Sequence, residues 1–365
     1  MRILRLLHRW IGLALALPML AQAATGFLML MSPPVDDLSR PAAVATRVSP
    51  SPLSTVIAAT RKGAPAGLVP LRYRSDGTGV ASVDFARPSQ RVSQIRVYVD
   101  PVSLMVLGGD DHPDRVYRWL HRIHETFLFP GPFGRTVVGW CGLGLIVLAV
   151  TGVPIWWPRQ GWWRAALTVP AKARGYRLYR GLHGATGWWV VALLLLQALS
   201  GTTMTFPGGA ARLLGVTPTR LPSAGRGAPP DIDLDRVAAA LQAAEPGARL
   251  VSLRFPTEPG LPMIASLQSH TIVEGPPTVV FVEPVTQRVL AIRDPRAGST
   301  GAALLAWLRT LHEGAGLGPV WRLVIGMTGL ALTLFPVTGF AMWFLRGRAN
   351  RRRRAQQALL QGAGK

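Results

Sequence analysis

The chain has 365 residues, 40 Lys and Arg against 18 Asp and Glu, and a formal net charge of +22. Its mean hydropathy is nonetheless positive, which argues against an ordinary soluble globule. The single cysteine, Cys141, excludes an intrachain disulfide.

Four uncharged apolar runs, residues 10–31, 137–157, 188–206 and 323–345, are long enough to cross a hydrocarbon core, which takes about 20 helical residues. The first run, with arginines before it and the small Ala21-Gln22-Ala23 triplet, also resembles a cleavable signal peptide. Its apolar character continues through Phe27 to Met31, and the same pattern returns inside the chain, so a retained span is expected.

The placement of charge argues for topology determinants and lipid anchors, and against nucleic-acid binding. Arg2, Arg5 and Arg9 precede the first run, Arg351 to Arg354 follow the last, and residues 159–180 carry six basic residues and no acid. Every Asp and Glu falls between runs one and two or between runs three and four. The positive-inside rule therefore puts both termini and the middle loop in the cytoplasm, with both large loops facing out.

The halves repeat. Leu7-His8, Gly12 and Thr25-Gly26 answer Leu182-His183, Gly187 and Ser200-Gly201. Trp119, Leu120, His124 and Glu125 recur as Trp307, Leu308, His312 and Glu313 at one offset. After a one-residue shift, Gly131-Pro132, Arg135, Gly139, Thr151-Gly152, Trp156 and Arg159 pair with Gly318-Pro319, Arg322, Gly326, Thr338-Gly339, Trp343 and Arg346.

Between the paired helices, each loop opens with a Pro-rich stretch and a short helix, at 53–61 and 234–244. Strand-like runs follow at 68–73, 79–85, 94–99 and 104–107, and at 249–255, 263–267, 278–282 and 288–292. Val97-Tyr98-Val99-Asp100-Pro101 matches Val280-Phe281-Val282-Glu283-Pro284, where an acid and a proline turn one strand into the next. The expected fold is a membrane α-helical bundle of four transmembrane helices, a duplicated two-helix unit, with two extracytoplasmic α+β domains. The divisions are transmembrane helix 1 at 1–32, external domain 1 at 33–115, outer helix and transmembrane helix 2 at 116–158, and a cytoplasmic loop at 159–182. Transmembrane helix 3 follows at 183–207, external domain 2 at 208–303, outer helix and transmembrane helix 4 at 304–346, and a basic cytoplasmic tail at 347–365.

Several of these motifs resemble the PepSY-associated transmembrane family, which includes iron-regulated inner-membrane proteins and ferric-siderophore reductases. They are Leu7-His8-Arg9-Trp10-Ile11-Gly12, Leu120-His121-Arg122-Ile123-His124-Glu125 with Gly134-Arg135 downstream, Thr151-Gly152 followed by Trp156-Trp157-Pro158-Arg159, and the Asp100-Pro101 turn. The resemblance covers nearly the whole chain. It implies a PepSY-like fold for each external domain and, for the reductase members, haem held by histidines within the bundle. Longer relatives carry a fused flavin or nicotinamide domain. No glycine-rich dinucleotide fingerprint occurs here, so the expected electron donor is a separate cytoplasmic reductase or a membrane quinol.

Ionisable groups at membrane depth are costly and mark function. His112 and His270 have no repeat partner and read as surface residues. His8 and His183 lie at equal depth; singly each reads as an interfacial anchor, but around a pseudo-two-fold axis the two can supply both axial positions of one haem. His124 and His312 make the same case on the external side, with His121 three residues before His124 on the same helical face as a substitute ligand, propionate partner or proton-handling group. The expectation is two b-type haems, ligated by His8 with His183 and by His124 with His312. Arg135 and Arg322, at equivalent helix starts, read either as propionate partners or as snorkelling interfacial cations. Gly12, Gly26, Gly139, Gly142, Gly144, Gly187, Gly201, Gly326 and Gly329 allow close helix approach, for haem or for packing alone.

Three functions follow as alternatives. The first is a haem-dependent membrane oxidoreductase that passes electrons to an external acceptor, by resemblance a ferric siderophore, and needs no catalytic acid, base or nucleophile. The second is a non-enzymatic module whose external domains bind a peptide, protease or uptake partner. The third, metal transport, uses the same histidines but finds almost no carboxylate in the spans. Asp110-Asp111, Asp231, Asp233 and Asp235 read as turn and helix-cap residues before they read as iron ligands.

Overall fold

The structure, a computed structural model, describes residues 1–38, 51–75, 79–88, 90, 92–111, 115–158, 161–217, 222–225, 232–269 and 275–362. His112, His270, Arg159, Asp231 and most of both Pro-rich loop openings lie outside the described residues.

In chain order the first half holds α1 (Arg2–Leu38), α2 (Leu53–Lys62), β1 (Val69–Ser75), β2 (Ala81–Ala86), β3 (Ile95–Val99), β4 (Val106–Asp111), α3 (Arg115–Thr126) and α4 (Gly131–Trp156). After the short α5 (Trp163–Leu167), the second half holds α6 (Gly175–Thr205), α7 (Pro207–Leu213), α8 (Leu234–Ala244), β5 (Arg249–Arg254), β6 (Met263–Gln268), β7 (Thr278–Val282), β8 (Val289–Arg293), α9 (Thr300–His312) and α10 (Gly318–Gly362). Four of these helices, α1, α4, α6 and α10, are long and apolar enough to cross a membrane. In the bundle, α1 packs against α4 and α10, and α6 packs against the same two. α1 and α6, which start with the equivalent histidines, therefore stand at opposite corners.

The turn into each returning span is forced by local backbone. Gly131 and Gly318 open α4 and α10 with φ of 63° and 81°, a left-handed conformation that side chains resist. Prolines at the next position suit the first helical turn, where no intrahelical N–H is needed.

The two loops do not form separate sheets. The strands make one eight-stranded antiparallel sheet in the order β4-β3-β2-β1-β5-β6-β7-β8. β1 and β5 pair across the middle, with Arg72 opposite Arg254, Tyr73 opposite Leu253 and Arg74 opposite Ser252. The physical reason is the edge: alone, each half would expose an unpaired strand, and pairing the two equivalent edges satisfies both. One core spans the seam, with Tyr73, Val83, Phe85 and Val97 from one half packed with Leu253, Met263, Ala265 and Val280 from the other. α2 and α8 cover this core and touch each other, and Asp235 of α8 accepts from the Ser54 N–H at 3.1 Å in the first turn of α2, where an anion is favoured. Asp233 caps its own helix, accepting from Arg236 N–H at 2.9 Å.

The repeated acid-proline turn is the same in both halves. Leu104 and Gln287, equivalent positions, both take positive φ (60° and 55°), and their N–H groups donate to the Asp100 and Glu283 carbonyls at 2.9 Å. β4 runs from Val106 to Asp111, later than the 104–107 expected, because the β3 edge imposes extended backbone on Gly108-Gly109 despite their poor strand propensity. Asp110 and Asp111 accordingly lie in a strand and not in a turn.

A shared core makes the halves cooperative. Leu253→Ala, at a fully buried site, is expected to cost about 2–5 kcal/mol. Hydrogen exchange should then show β2 and β6 losing protection together; loss confined to β6 would mean two independent domains.

Candidate functional site

Each of the four repeat-paired histidines is held by a hydroxyl from another helix. His8 of α1 places Nδ1 2.9 Å from Thr151 Oγ1 of α4, and His183 of α6 places Nδ1 2.8 Å from Thr338 Oγ1 of α10. Toward the sheet, His124 of α3 sits 3.1 Å from Thr25 Oγ1 of α1 and 3.0 Å from the Gln22 carbonyl. His312 of α9 sits 2.8 Å from Ser200 Oγ of α6.

The direction of these bonds is fixed by the hydroxyls' own protons. Thr151, Thr338, Thr25 and Ser200 each donate to the carbonyl four residues back, at 2.7, 2.6, 2.6 and 2.6 Å. Each hydroxyl is left as an acceptor, so each imidazole donates from Nδ1–H, and a neutral ring then keeps its lone pair on Nε2. The Gln22 carbonyl, which only accepts, requires the same tautomer of His124. Among the described residues no hydrogen bond reaches any of the four Nε2 atoms.

The residue after each hydroxyl is a glycine, and the ring lies against it. A Cβ on Gly26 would stand 3.0 Å from His124 Cε1, and one on Gly201 3.1 Å from His312 Cε1. Gly152 and Gly339 face His8 and His183 more loosely, at 3.4 and 3.8 Å. A Ser/Thr-Gly dipeptide on one helix is thus a seat for an imidazole from another.

The seated rings meet across the two halves. His8 and His183 have ring centroids 6.3 Å apart with planes at 77°; His124 and His312 are also 6.3 Å apart, at 58°. His124 and His312 titrate far below the usual histidine range, at about 4, chiefly because packing removes them from water. Both are neutral at pH 7.

His121 takes no part in the couple. It is exposed, stacked on Tyr117 at 5.9 Å, with Nδ1 3.6 Å from Glu125 Oε2. Three residues along a helix turn the ring enough that His124, and not His121, faces His312. Arg135 forms an ion pair with Glu125, and Arg322 donates from Nε and Nη2 to the Leu30 carbonyl at 3.3 and 2.7 Å. Among the described residues no cluster of three or more His, Cys, Asp or Glu side chains offers a site for a bare metal ion. Thr25, Thr151, Ser200 and Thr338, which hold the four rings, are the residues that sequence spacing left without a role.

These features define a membrane protein of four long apolar helices whose duplicated halves bring equivalent histidines into couples at two levels. The chain belongs to the PepSY-associated TM region family, whose model matches residues 5–346. No curated protein matches it significantly.

The tautomer is directly measurable. At pH 7, 15N spectra of labelled histidine in the purified chain are expected to show His183 protonated at Nδ1. Thr338→Val should shift its population toward the Nε2–H form, since valine has the size and not the acceptor; unchanged shifts would mean that Thr338 does not hold the ring.

Proposed function

We propose that the chain is a di-haem electron carrier of the bacterial inner membrane, taking electrons from a cytoplasmic reductase or a quinol and delivering them to a periplasmic ferric chelate of the siderophore class. The observation that carries this reading is the spacing of the two couples. A metal–imidazole bond is about 2 Å and the bonded nitrogen lies about 1.1 Å from its ring centroid, so two rings on opposite sides of one metal atom have centroids about 6.2 Å apart. Both couples stand at 6.3 Å.

The donor set fits haem in other respects. Two neutral imidazoles per couple, each with its Nε2 lone pair available, are the donor set that would hold a haem iron. A bare transported cation would ask for more protein ligands, so the couples favour haem over metal transport. His8 with His183 would hold one group, and His124 with His312 the other. Haem, when bound, supplies the one-electron chemistry. The protein's own work is to fix the rings through Thr151, Thr338, Thr25 and Ser200, and to surround them with apolar helix.

The two levels are matched to the membrane. Thr25, which seats the upper ring, lies 17 residues after His8 on α1, and Ser200 lies 17 after His183 on α6. At 1.5 Å per residue this separates the levels by about 25 Å, most of a hydrocarbon core. The arginine-rich ends of α1, α6 and α10 support an orientation with those ends inside and the sheet outside, by the positive-inside rule. We assign Arg135 and Arg322 to haem propionates, a role for which Arg135 has to release Glu125.

Purified protein made with ample haem supply is expected to show a reduced-minus-oxidised haem spectrum with two haems per chain. His8→Ala with His183→Ala should remove about half of the haem, as should Gly201→Val, which pushes a side chain into the His312 ring. A colourless preparation would sink the proposal and leave a membrane module that binds an external partner.

A further inference from the structure

The sheet has two faces, and one carries charge. Side chains on the face opposite the shared core form a row across the strands: Asp110, Arg96, Asp84, Arg72, Arg254, Ile264. Opposite charges alternate over the first four positions, as cross-strand pairing favours. The alternation fails at the seam, where Arg72 stands directly opposite Arg254. In the neighbouring row Arg74 lies on the same face.

The local carboxylate is already engaged. Asp84 accepts from Arg96 Nε at 2.7 Å and pairs with Arg74 Nη2 at 3.1 Å. Arg254 is exposed, and its guanidinium makes no hydrogen bond or ion pair among the described residues. Arg72 is partly buried, and its guanidinium titrates down to about 10 because burial and then the charges of Arg74 and Arg254 oppose its own. Like charges facing each other across strands destabilise a sheet. Here they sit on the strand pair that joins the two halves, where the same local two-fold that exchanges β1 and β5 converges side chains from both.

We propose that Arg72, Arg74 and Arg254 form an anion-binding site at the centre of the sheet, which takes a small soluble chelate rich in carboxylate or phenolate oxygens. Guanidinium groups bind such oxygens in pairs, and a ligand with several of them spans Arg72 and Arg254 while Arg74, paired with Asp84, flanks it. That the bound chelate is the electron acceptor rests on the electron-transfer reading; the affinity for an oxyanion rests on the seam alone.

The probes are citrate and gallium(III) citrate, a chelate that takes no electron. Titration calorimetry on the full chain in detergent should give saturable binding, weakened about tenfold or more in Arg254→Gln and partly kept in Arg254→Lys. Without ligand, Arg254→Gln should melt no lower than wild type, since it relieves repulsion. Citrate should raise the melting temperature of wild type and leave that of the variant in place. Absent binding, equal binding by Arg254→Gln, or displacement by soluble short-chain phosphatidylglycerol at lower concentration than by citrate would overturn the proposal, the last in favour of lipid. Haem spectra taken on the same samples separate the readings. Binding by a colourless protein retains the anion site without the electron carrier, and a normal spectrum without binding does the reverse.

Discussion

An imidazole among apolar helices has to place its Nδ1–H on an acceptor, and most of this structure follows from how that is met. Helical Ser and Thr return their own proton to the carbonyl four residues back, which leaves the oxygen as a fixed acceptor facing sideways. A glycine at the next position lets a ring from another helix come within reach. The bond therefore ties two helices, selects a tautomer and aims Nε2 in a single step. Because each half ties its own helices this way, α1 to α4 and α1 to α3, α6 to α10 and α6 to α9, each presents its two rings as a preformed unit. Association of the halves then determines only the distance between rings.

The sheet performs the same joining outside the bundle. Helix packing in lipid lacks the hydrophobic drive available in water, whereas the sheet core lies outside the apolar runs and can draw on it. Burial of Tyr73, Phe85, Leu253 and Met263 in one core locks the halves across β1 and β5. The duplicated unit thus meets its copy twice, through ridged helices in the bundle and through backbone pairing in the sheet.

Much of this was legible in the sequence, for identifiable reasons. Spans and charge asymmetry are properties of composition along the chain, and the repeat exposed the histidines as couples. The dipeptides Thr25-Gly26, Thr151-Gly152, Ser200-Gly201 and Thr338-Gly339 stood out as repeat matches, yet their role was hidden because His8 and Thr151 are 143 residues apart. A partial signal was present: four histidines and four repeat-matched Ser/Thr-Gly pairs fall at matching depths, but Thr186-Gly187 and Thr328-Gly329 in the same helices have the same pattern and seat no histidine. Reading each loop as a closed domain missed the seam, although each half left one edge strand without a partner. The choice between His121 and His124 turned on ring direction, which spacing on one helix face does not resolve.

Where the halves agree and where they differ separates the constraints. At the couples the symmetry is close, with hydroxyl, glycine and spacing kept on both sides. At the rim it lapses. His121 has Arg309 as its counterpart; Glu125 pairs with Arg135, but Glu313 pairs with Arg309 and leaves Arg322 to the Leu30 carbonyl. Two imidazoles that meet across the halves need equal reach from both sides, so a change on one side alone alters their spacing. Rim charges meet different neighbours on each side and carry no such requirement. The divergence therefore falls on charges that each half places by itself, and the identity falls on the rings that the two halves bring together.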